Sequence, residues 1–178
     1  MEFDYSSNSF RKGLEYNKKS YFELKEILKE SSIEDEDYVY KRGKKFAYYW
    51  LYSVEDLPHT IENFYNILDE NFTITTAKIG TINDREKAIS WIDSISRTTR
   101  YNYHNIESFS AKALDESTED LLVIELDMVI SWASLGITGS RMSAKNKYQM
   151  TIESKMGEEY SSLRKLKFAP IETFEFLK

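Results

Sequence analysis

The sequence contains no cysteine and only two histidines among its 178 residues. Without cysteine the chain can have no disulfide bond, no thiolate nucleophile and no cysteine-ligated metal. Because His59 and His104 are the only histidines, a histidine-rich metal centre is excluded, and the carboxylates show no spacing that would complete a mixed site. We therefore predict that the protein uses no metal ion and no other cofactor.

A basic stripe and a long apolar run are also missing. The 24 lysines and arginines are spread along a chain of net charge −6, so nothing indicates binding to nucleic acid. No apolar run reaches the roughly 20 residues of a membrane-spanning helix. The opening stretch "MEFDYSSNSFRKGLEYNKKS" lacks the apolar centre of a secretory signal. We therefore expect a cytoplasmic protein that has no membrane partner.

Aromatic residues, in contrast, are abundant. They make up 15% of the chain, and tyrosine leads with 13 copies. Tyrosine joins a large apolar ring to a hydrogen-bonding hydroxyl, which suits pockets and interfaces as well as half-buried sheet faces. The length is sufficient for one domain with a full hydrophobic core.

Apolar residues recur at helical spacing through the first half. "SYFELKEILKESS" predicts one helix, and residues 34–55 predict a second with Val39, Phe46, Trp50 and Val54 along its buried face. A third helix is expected to begin at Asp56, with Pro58 in its first turn and His59 exposed to solvent. "NDREKAISWIDSI" predicts a further helix, in which Asn83 and Glu86 resemble a capping box. Its inward residues are predicted to be Ala88, Trp91, Ile92 and Ile95.

The period changes from helical to two after residue 100. Strands are predicted over about 100–113, 121–133, 141–154 and 160–176, and "FTITTAKIG" predicts a shorter strand before the last helix. Consecutive strands with short links form an antiparallel meander. Helices followed by strands predict an α+β fold whose helices pack on one face of a curved sheet.

The two carboxylates in "LLVIELDMVISW" illustrate how alternation assigns the faces of that sheet. Side chains alternate across a strand, so Met128 and Trp132 share one face and Glu125 and Asp127 share the other. Carboxylates are costly to bury, so we place their face outside the core. Lys145 and Lys147 on the next strand are their predicted partners.

The order of these elements resembles the nuclear transport factor 2-like superfamily. "YYWLYSVEDLPHTIENFYNILDENFTITT" is similar to the family's opening, in which a helix ends at Asp-Leu, a second helix follows and a strand begins after an acidic turn. "GTINDREKAISWI", "YNYHNIESF" and "YSSLRKLKF" look like later family elements, so that the resemblance covers Phe46 to Phe168. It implies a cone-shaped, cystatin-like barrel, in which a curved, mixed, mostly antiparallel sheet wraps around helices. It assigns residues 45–178 to this domain and residues 1–44 to an N-terminal helical extension.

Such cones enclose a cavity, but members differ in what they do with it, and the fold does not choose among them. The resemblance implies a SnoaL-like isomerase, cyclase or lyase that works without a cofactor. The alternatives are a non-catalytic dimerisation or assembly domain and, from "SRTTRYNYHNI", the small subunit of a ring-hydroxylating dioxygenase. The superfamily also implies a homodimer formed through the outer sheet face.

The resemblance implies two candidate catalytic residues, Tyr48 and His104. Tyr48 lies eight positions before the Asp of Asp-Leu, where ketosteroid isomerases have an oxyanion-binding tyrosine. Thr76 stands at the position of their general base, and a threonine cannot take a proton near neutral pH, which argues against that isomerase mechanism. Cyclase-like and dehydratase-like members need a histidine and a carboxylate that meet in the cavity. His104 is our candidate acid or base, with Tyr48 or Tyr148 as hydrogen-bond donor.

The remaining candidates would line the cavity and bind its ligand. Arg164 facing inward would favour an anionic group such as a carboxylate, with Tyr148 and Asn146 nearby. The expected ligand is therefore a small organic molecule that is apolar or weakly anionic. The predicted ligand-binding residues are Tyr148, Asn146, Arg164, Trp91, Met128, Trp132 and Tyr52.

Overall fold

The computed structural model describes residues 3–56, 63–64, 67–77 and 79–177, with side chains as far as Ile171. The helix predicted to begin at Asp56, and His59 with it, lies largely outside the described residues. Three helices are described: α1 (Ser7–Lys29), α2 (Tyr38–Glu55) and α3 (Arg85–Thr98). The six strands are β1 (Leu68–Thr76), β2 (Gly80–Ile82), β3 (Thr99–Ala113), β4 (Leu121–Gly136), β5 (Arg141–Lys155) and β6 (Ser162–Leu177).

Helix α1 is longer than the sequence predicts. Its N-cap is Ser6, whose hydroxyl accepts a hydrogen bond from the Ser9 N–H at 3.3 Å. The first two turns contain few apolar residues, so the period is weak there, yet Phe10 stacks on the ring of Tyr101 with centroids 5.4 Å apart. The buried face continues at spacings of three, four or seven residues: Phe10, Gly13, Asn17, Tyr21 and Leu28.

The starts of the other two helices also differ from prediction. Helix α2 begins at Tyr38, after Asp37, and not at residue 34. The cap of α3 is Asp84 and not Asn83, because Asp84 has the extended backbone that an N-cap requires and its Oδ1 accepts from the Lys87 N–H at 2.9 Å. Ala88 and Ile92 are fully buried on the predicted inner face of α3.

The strands confirm the predicted α+β fold. They form one sheet in the order β2-β1-β6-β5-β4-β3, in which every neighbouring pair is antiparallel except β1 and β6. The four long strands begin and end within three residues of their predicted bounds, because period-two alternation runs through all of them. The core lies between the inner face of this sheet and the helices.

The predicted face of Glu125 and Asp127 is confirmed. Met128, on the opposite parity of β4, is buried in the core, whereas the carboxylates face the outer surface. Lys147 Nζ lies 3.8 Å from Asp127 Oδ1, as predicted. The partner of Glu125 differs from the prediction. Lys112 lies 3.0 Å from Glu125, whereas Lys145 pairs with Glu107 at 2.9 Å.

Arg164 does not face the cavity as predicted, because the register of β6 shifts beside it. Leu163 pairs with Ile152 and Lys165 pairs with Thr151, so that Arg164 is the extra residue of a bulge. The bulge lets Leu163 and Leu166 both point inward, although strict alternation places them on opposite faces. The Arg164 guanidinium binds Glu116 at 3.0 Å and Glu153 at 3.3 Å on the outer side.

Candidate functional site

A cavity of about 560 Å³ opens between helices α2 and α3 and the inner face of strands β3 to β6. Most of its surface is apolar or aromatic, and the polar groups come mainly from the strands. The residues that line it include Trp50, Val54, Thr76, Trp91, Ile95, Asn102, His104, Trp132, Ser134, Met142, Asn146, Tyr148, Phe168 and Pro170. Its volume is in the range of sites that hold small organic molecules.

A histidine in the cavity wall is paired with a buried glutamate behind it. His104 on β3 lies with its Nδ1 3.2 Å from Oε1 of Glu55, the last residue of α2. The His104 backbone N–H also donates to the same oxygen at 2.6 Å. The Glu55 side chain is 0% exposed and the His104 side chain 11%. This is a histidine and a carboxylate that meet at the cavity, as the dehydratase-like and cyclase-like mechanisms require.

Local geometry brings the pair together from distant parts of the sequence. Alternation along β3 turns His104 inward beside Trp132 of β4, its cross-strand partner. Helix α2 places Val54 on the cavity, and the next residue, Glu55, lies about 100° further round the helix, toward β3. The Asn102 amide, which donates to the Val54 carbonyl at 3.4 Å, ties the same helix end to β3.

The protonation of Glu55 reflects two opposing influences. Complete burial raises the pKa of this carboxyl, because it disfavours the charged form, while hydrogen bonds from His104 and Asn17 lower it. The carboxylate faces donors: the His104 backbone N–H and the Asn17 amide, which lies 3.0 Å from both oxygens. An ionised Glu55 holds the imidazole proton on Nδ1 and leaves Nε2 as the ring nitrogen able to accept a proton.

An aromatic wall stands on β5, β6 and α3. The ring of Tyr148 stacks on Phe168 at 5.1 Å, and Phe168 stacks on Trp91 at 6.0 Å. A hydrogen bond joins the Tyr148 hydroxyl to the Asn146 side chain. With the Asn146 amide oriented to satisfy both of its neighbours, its oxygen accepts from Trp132 Nε1 at 2.9 Å. These four predicted ligand-binding residues, Trp91, Trp132, Asn146 and Tyr148, all line one cavity.

The other predicted site residues lie elsewhere. Tyr48 packs edge-on against Tyr16 of α1, because it is two residues from Trp50 and so faces the opposite side of α2. Tyr52, also on α2, packs against Tyr21 of α1 and Tyr49 of α2. Met128 is buried in the core away from the cavity lining, and Arg164 lies on the outer face. The structure therefore brings His104 together with Glu55 and not with Tyr48.

Sequence reasoning did not select Glu55, although one signal could have identified it. Glu55 is seven residues after Tyr48, so both lie on the same face of α2. A carboxylate at the end of an otherwise aromatic face, directly before the Asp-Leu that ends the helix, indicates a buried partner elsewhere in the fold. The partner itself, 49 residues away on β3, is not visible in a local pattern.

Apart from His104, the described residues that line the cavity carry no ionisable group other than the Tyr148 phenol. Within the described part of the chain, no three histidine, aspartate or glutamate side chains lie close enough to hold a metal ion. None of the described helices is long and apolar enough to cross a membrane.

Ionisation of Tyr148 should make the stability of the protein depend on pH in the alkaline range. Burial raises the pKa of its phenol to about 12, whereas the unfolded chain ionises near 10, so stability is lost as the pH rises through this window. Near pH 11 we expect this one group to lower the free energy of unfolding by about 1.4 kcal/mol. Urea unfolding of wild type and Tyr148→Phe at pH 8 and pH 11 measures this effect. The free energy of unfolding should fall less between pH 8 and pH 11 in the variant than in wild type. An equal pH dependence in both proteins would contradict the burial of the hydroxyl.

The sequence matches no known sequence family and no curated protein. Solved structures do resemble the fold. One is a hexachlorocyclohexane dehydrochlorinase, LinA-type3, of Novosphingobium barchaimii LL02, with a TM-score of 0.57 and 14% identity over 87% of this chain and 94% of that one.

Two further structures come from Novosphingobium aromaticivorans. The first bears the provisional name of a scytalone dehydratase. Its structure aligns with a TM-score of 0.62 and 11% identity over 78% of this chain and 88% of its own. The second bears the provisional name of an aromatic ring hydroxylase. Its structure aligns with a TM-score of 0.63 and 7% identity over 76% of this chain and 91% of its own. At these identities the likeness shows a shared fold, while the names differ in the reaction.

Proposed function

The chain has the nuclear transport factor 2-like fold, and from that premise we propose that it is a cofactor-independent lyase acting on a small, neutral, largely apolar molecule. The observation that carries the proposal is the His104–Glu55 pair, whose histidine lines a cavity in which the other described lining residues carry no charge. A histidine held by a buried carboxylate is suited to act as a general base toward a ligand in the cavity.

The proposed reaction is an elimination. His104 Nε2 takes a proton from a carbon of the ligand, the electrons of that C–H bond form a carbon–carbon double bond, and the bond to a leaving group on the neighbouring carbon breaks. The leaving group departs with its electron pair, and the proton on His104 passes to it or to solvent. Glu55 stabilises the imidazolium that exists between these steps, because the negative charge lies directly behind the ring.

The lining supports a neutral ligand and not the weakly anionic alternative. An anionic group would need a cationic partner in so apolar a site, and among the described lining residues only His104 could carry a positive charge, while Arg164 binds Glu116 and Glu153 on the outer face. The aromatic wall of Trp91, Tyr148 and Phe168 supplies flat apolar surface for a ring. The Asn146 amide, which retains a second N–H, provides a polar group for a carbonyl or a leaving group.

The fold neighbours support elimination by analogy alone. Dehydrochlorination and dehydration, the reactions in two of the neighbours' names, both remove a proton and a leaving group from adjacent carbons. Neither name transfers its substrate to this chain, which shares 14% or less identity with those proteins.

An assay of the wild-type protein in D₂O tests the proposal. The panel contains hexachlorocyclohexane, scytalone and neutral β-hydroxy ketones with one or two rings, each beside an analogue that carries a carboxylate. We expect product formation, or exchange of the acidic C–H for C–D, with neutral members and much less with the carboxylated ones. Arg164→Ala serves as control and should leave this preference unchanged.

The competing function is a non-catalytic binding or assembly domain. It predicts ligand binding, or none, without exchange or product formation for any member of the panel. If carboxylated members react in preference, the neutral-ligand assignment is wrong, even if catalysis is observed.

A further inference from the structure

Asn17 of helix α1 contacts both members of the buried pair. Its side chain is almost fully buried, with 1% exposure. The amide nitrogen Nδ2 lies 3.0 Å from Oε1 and 3.0 Å from Oε2 of Glu55, and 3.0 Å from the backbone oxygen of His104. One side chain from the N-terminal helix therefore joins the end of α2 to β3.

The chemistry of these contacts fixes the orientation of the amide. All three partners are oxygens that accept hydrogen bonds, so the nitrogen and not the oxygen of Asn17 must face them. A primary amide has two N–H groups, so one can serve the carboxylate and the other the carbonyl. Both Glu55 oxygens face donors, and a protonated carboxyl would have to place its O–H against one of them, so this arrangement favours the charged form of Glu55.

Other ionisable groups around Glu55 have different roles. On β3, His104 faces it directly, and the pKa of the half-buried Tyr103 phenol is raised first by burial and then by the nearby Glu55 carboxylate. Arg100 of β3 and Arg11 of α1 border a hollow that Glu55 also lines, together with its neighbour Asp56. Lys18 is paired with Asp56. Of these residues and Asn17, only His104 and Asn17 donate hydrogen bonds to the Glu55 carboxylate in the described part of the chain.

We infer that Asn17 is a positioning residue of the active site, which holds the Glu55 carboxylate ionised and aligned behind His104 and fixes the strand that carries the histidine. The inference deepens the proposed function and rests on it for its catalytic meaning. It also makes α1 a part of the catalytic apparatus and not merely a cover over the core. Asn17 is not itself among the described residues that line the cavity.

The neighbouring residue offers a matched control. Lys18 lies on the same helix, and its Nζ is 2.6 Å from Oδ2 of Asp56, the residue after Glu55. Lys18→Ala therefore removes a link between α1 and the end of α2 without removing a hydrogen bond to the pair. Asn17→Leu keeps the branched skeleton and the number of heavy atoms of the side chain and removes the donors.

The experiment uses the full chain and two measurements. The first is the ¹H–¹⁵N spectrum of the imidazole rings, which contains only His59 and His104, with His104→Gln to assign the signals. We expect a slowly exchanging Nδ1 proton of His104 in wild type and Lys18→Ala, and its loss in Asn17→Leu. The second is the pH profile of kcat/KM on any panel substrate that wild type converts.

In that profile we expect Asn17→Leu to lower the plateau of kcat/KM about tenfold, the effect of losing one hydrogen bond to a charged group. The acidic limb should move to higher pH, because removing the donors raises the pKa of Glu55 further and the carboxylate takes up a proton earlier. Lys18→Ala should keep the wild-type limb. If leucine prevents folding, Asn17→Ala must give the same two changes.

The two proposals can fail separately. If Asn17→Leu keeps the Nδ1 signal and the wild-type acidic limb, the positioning role is wrong, whatever the enzyme converts. If no panel member reacts and Asn17→Leu still loses the signal that Lys18→Ala keeps, the structural coupling stands and the lyase proposal fails.

Discussion

His104→Gln is expected to lower kcat/KM for proton removal by about 10²- to 10⁴-fold, the usual contribution of a positioned general base. Glutamine retains a polar group near Glu55 but has no basic nitrogen. The fold should persist, because the hydrogen bond from the residue-104 backbone N–H to Glu55 does not depend on the side chain. Initial rates in the D₂O assay, with circular dichroism to establish folding, measure the effect.

A matched control for this substitution lies on the outer face of the sheet. Glu125 pairs with Lys112 at 3.0 Å and is far from the cavity lining, so Glu125→Gln changes one charge without touching the site. It should keep the wild-type rate. A folded His104→Gln variant that retained activity within about twofold would show that the base is another group, since uninvolved surface changes seldom exceed that range.

The strand half of the fold could be predicted from the sequence because alternation is a local property. Leu122 to Trp132 repeat apolar residues at every second position, and that pattern assigned the outer face of Glu125 and Asp127 correctly. Alternation breaks where a bulge inserts one residue. Leu163 and Leu166 conflict in parity, and only the register with β5 shows that both are buried and that Arg164 points outward.

The site could be predicted only in part, for a related reason. His104, Trp132, Asn146 and Tyr148 lie on long strands, whose faces alternation assigns. Glu55 and Asn17 lie at helical positions where a polar residue is normally solvated, so their burial depends on contacts with β3. Residues 48 and 55 share a helix face, and the sequence drew attention to the tyrosine rather than to the carboxylate that completes the pair.

Gly13→Ala tests the close contact of α1 with β3, on which the position of Asn17 depends. A Cβ at residue 13 would overlap Cδ2 and Cε2 of the Tyr103 ring. That ring cannot move aside easily, because Phe3 stacks on its other side at 5.6 Å. Helix α1 must therefore shift away from β3, and Asn17, one turn further along the same face, shifts with it.

We expect Gly13→Ala to lower the free energy of unfolding by about 2 kcal/mol, since overpacking outweighs the gain of about 1 kcal/mol in helix propensity. The melting temperature should fall by about 4–8 °C, and the Nδ1 proton of His104 should exchange faster. Gly43→Ala is the control: its Cβ would meet Leu126 Cδ2, the far end of a flexible side chain, at 2.5 Å. It should destabilise less and leave the histidine signal intact. A Gly13→Ala variant as stable as wild type would mean that α1 lies further from β3, which would contradict the hydrogen bond from Asn17 to the His104 carbonyl.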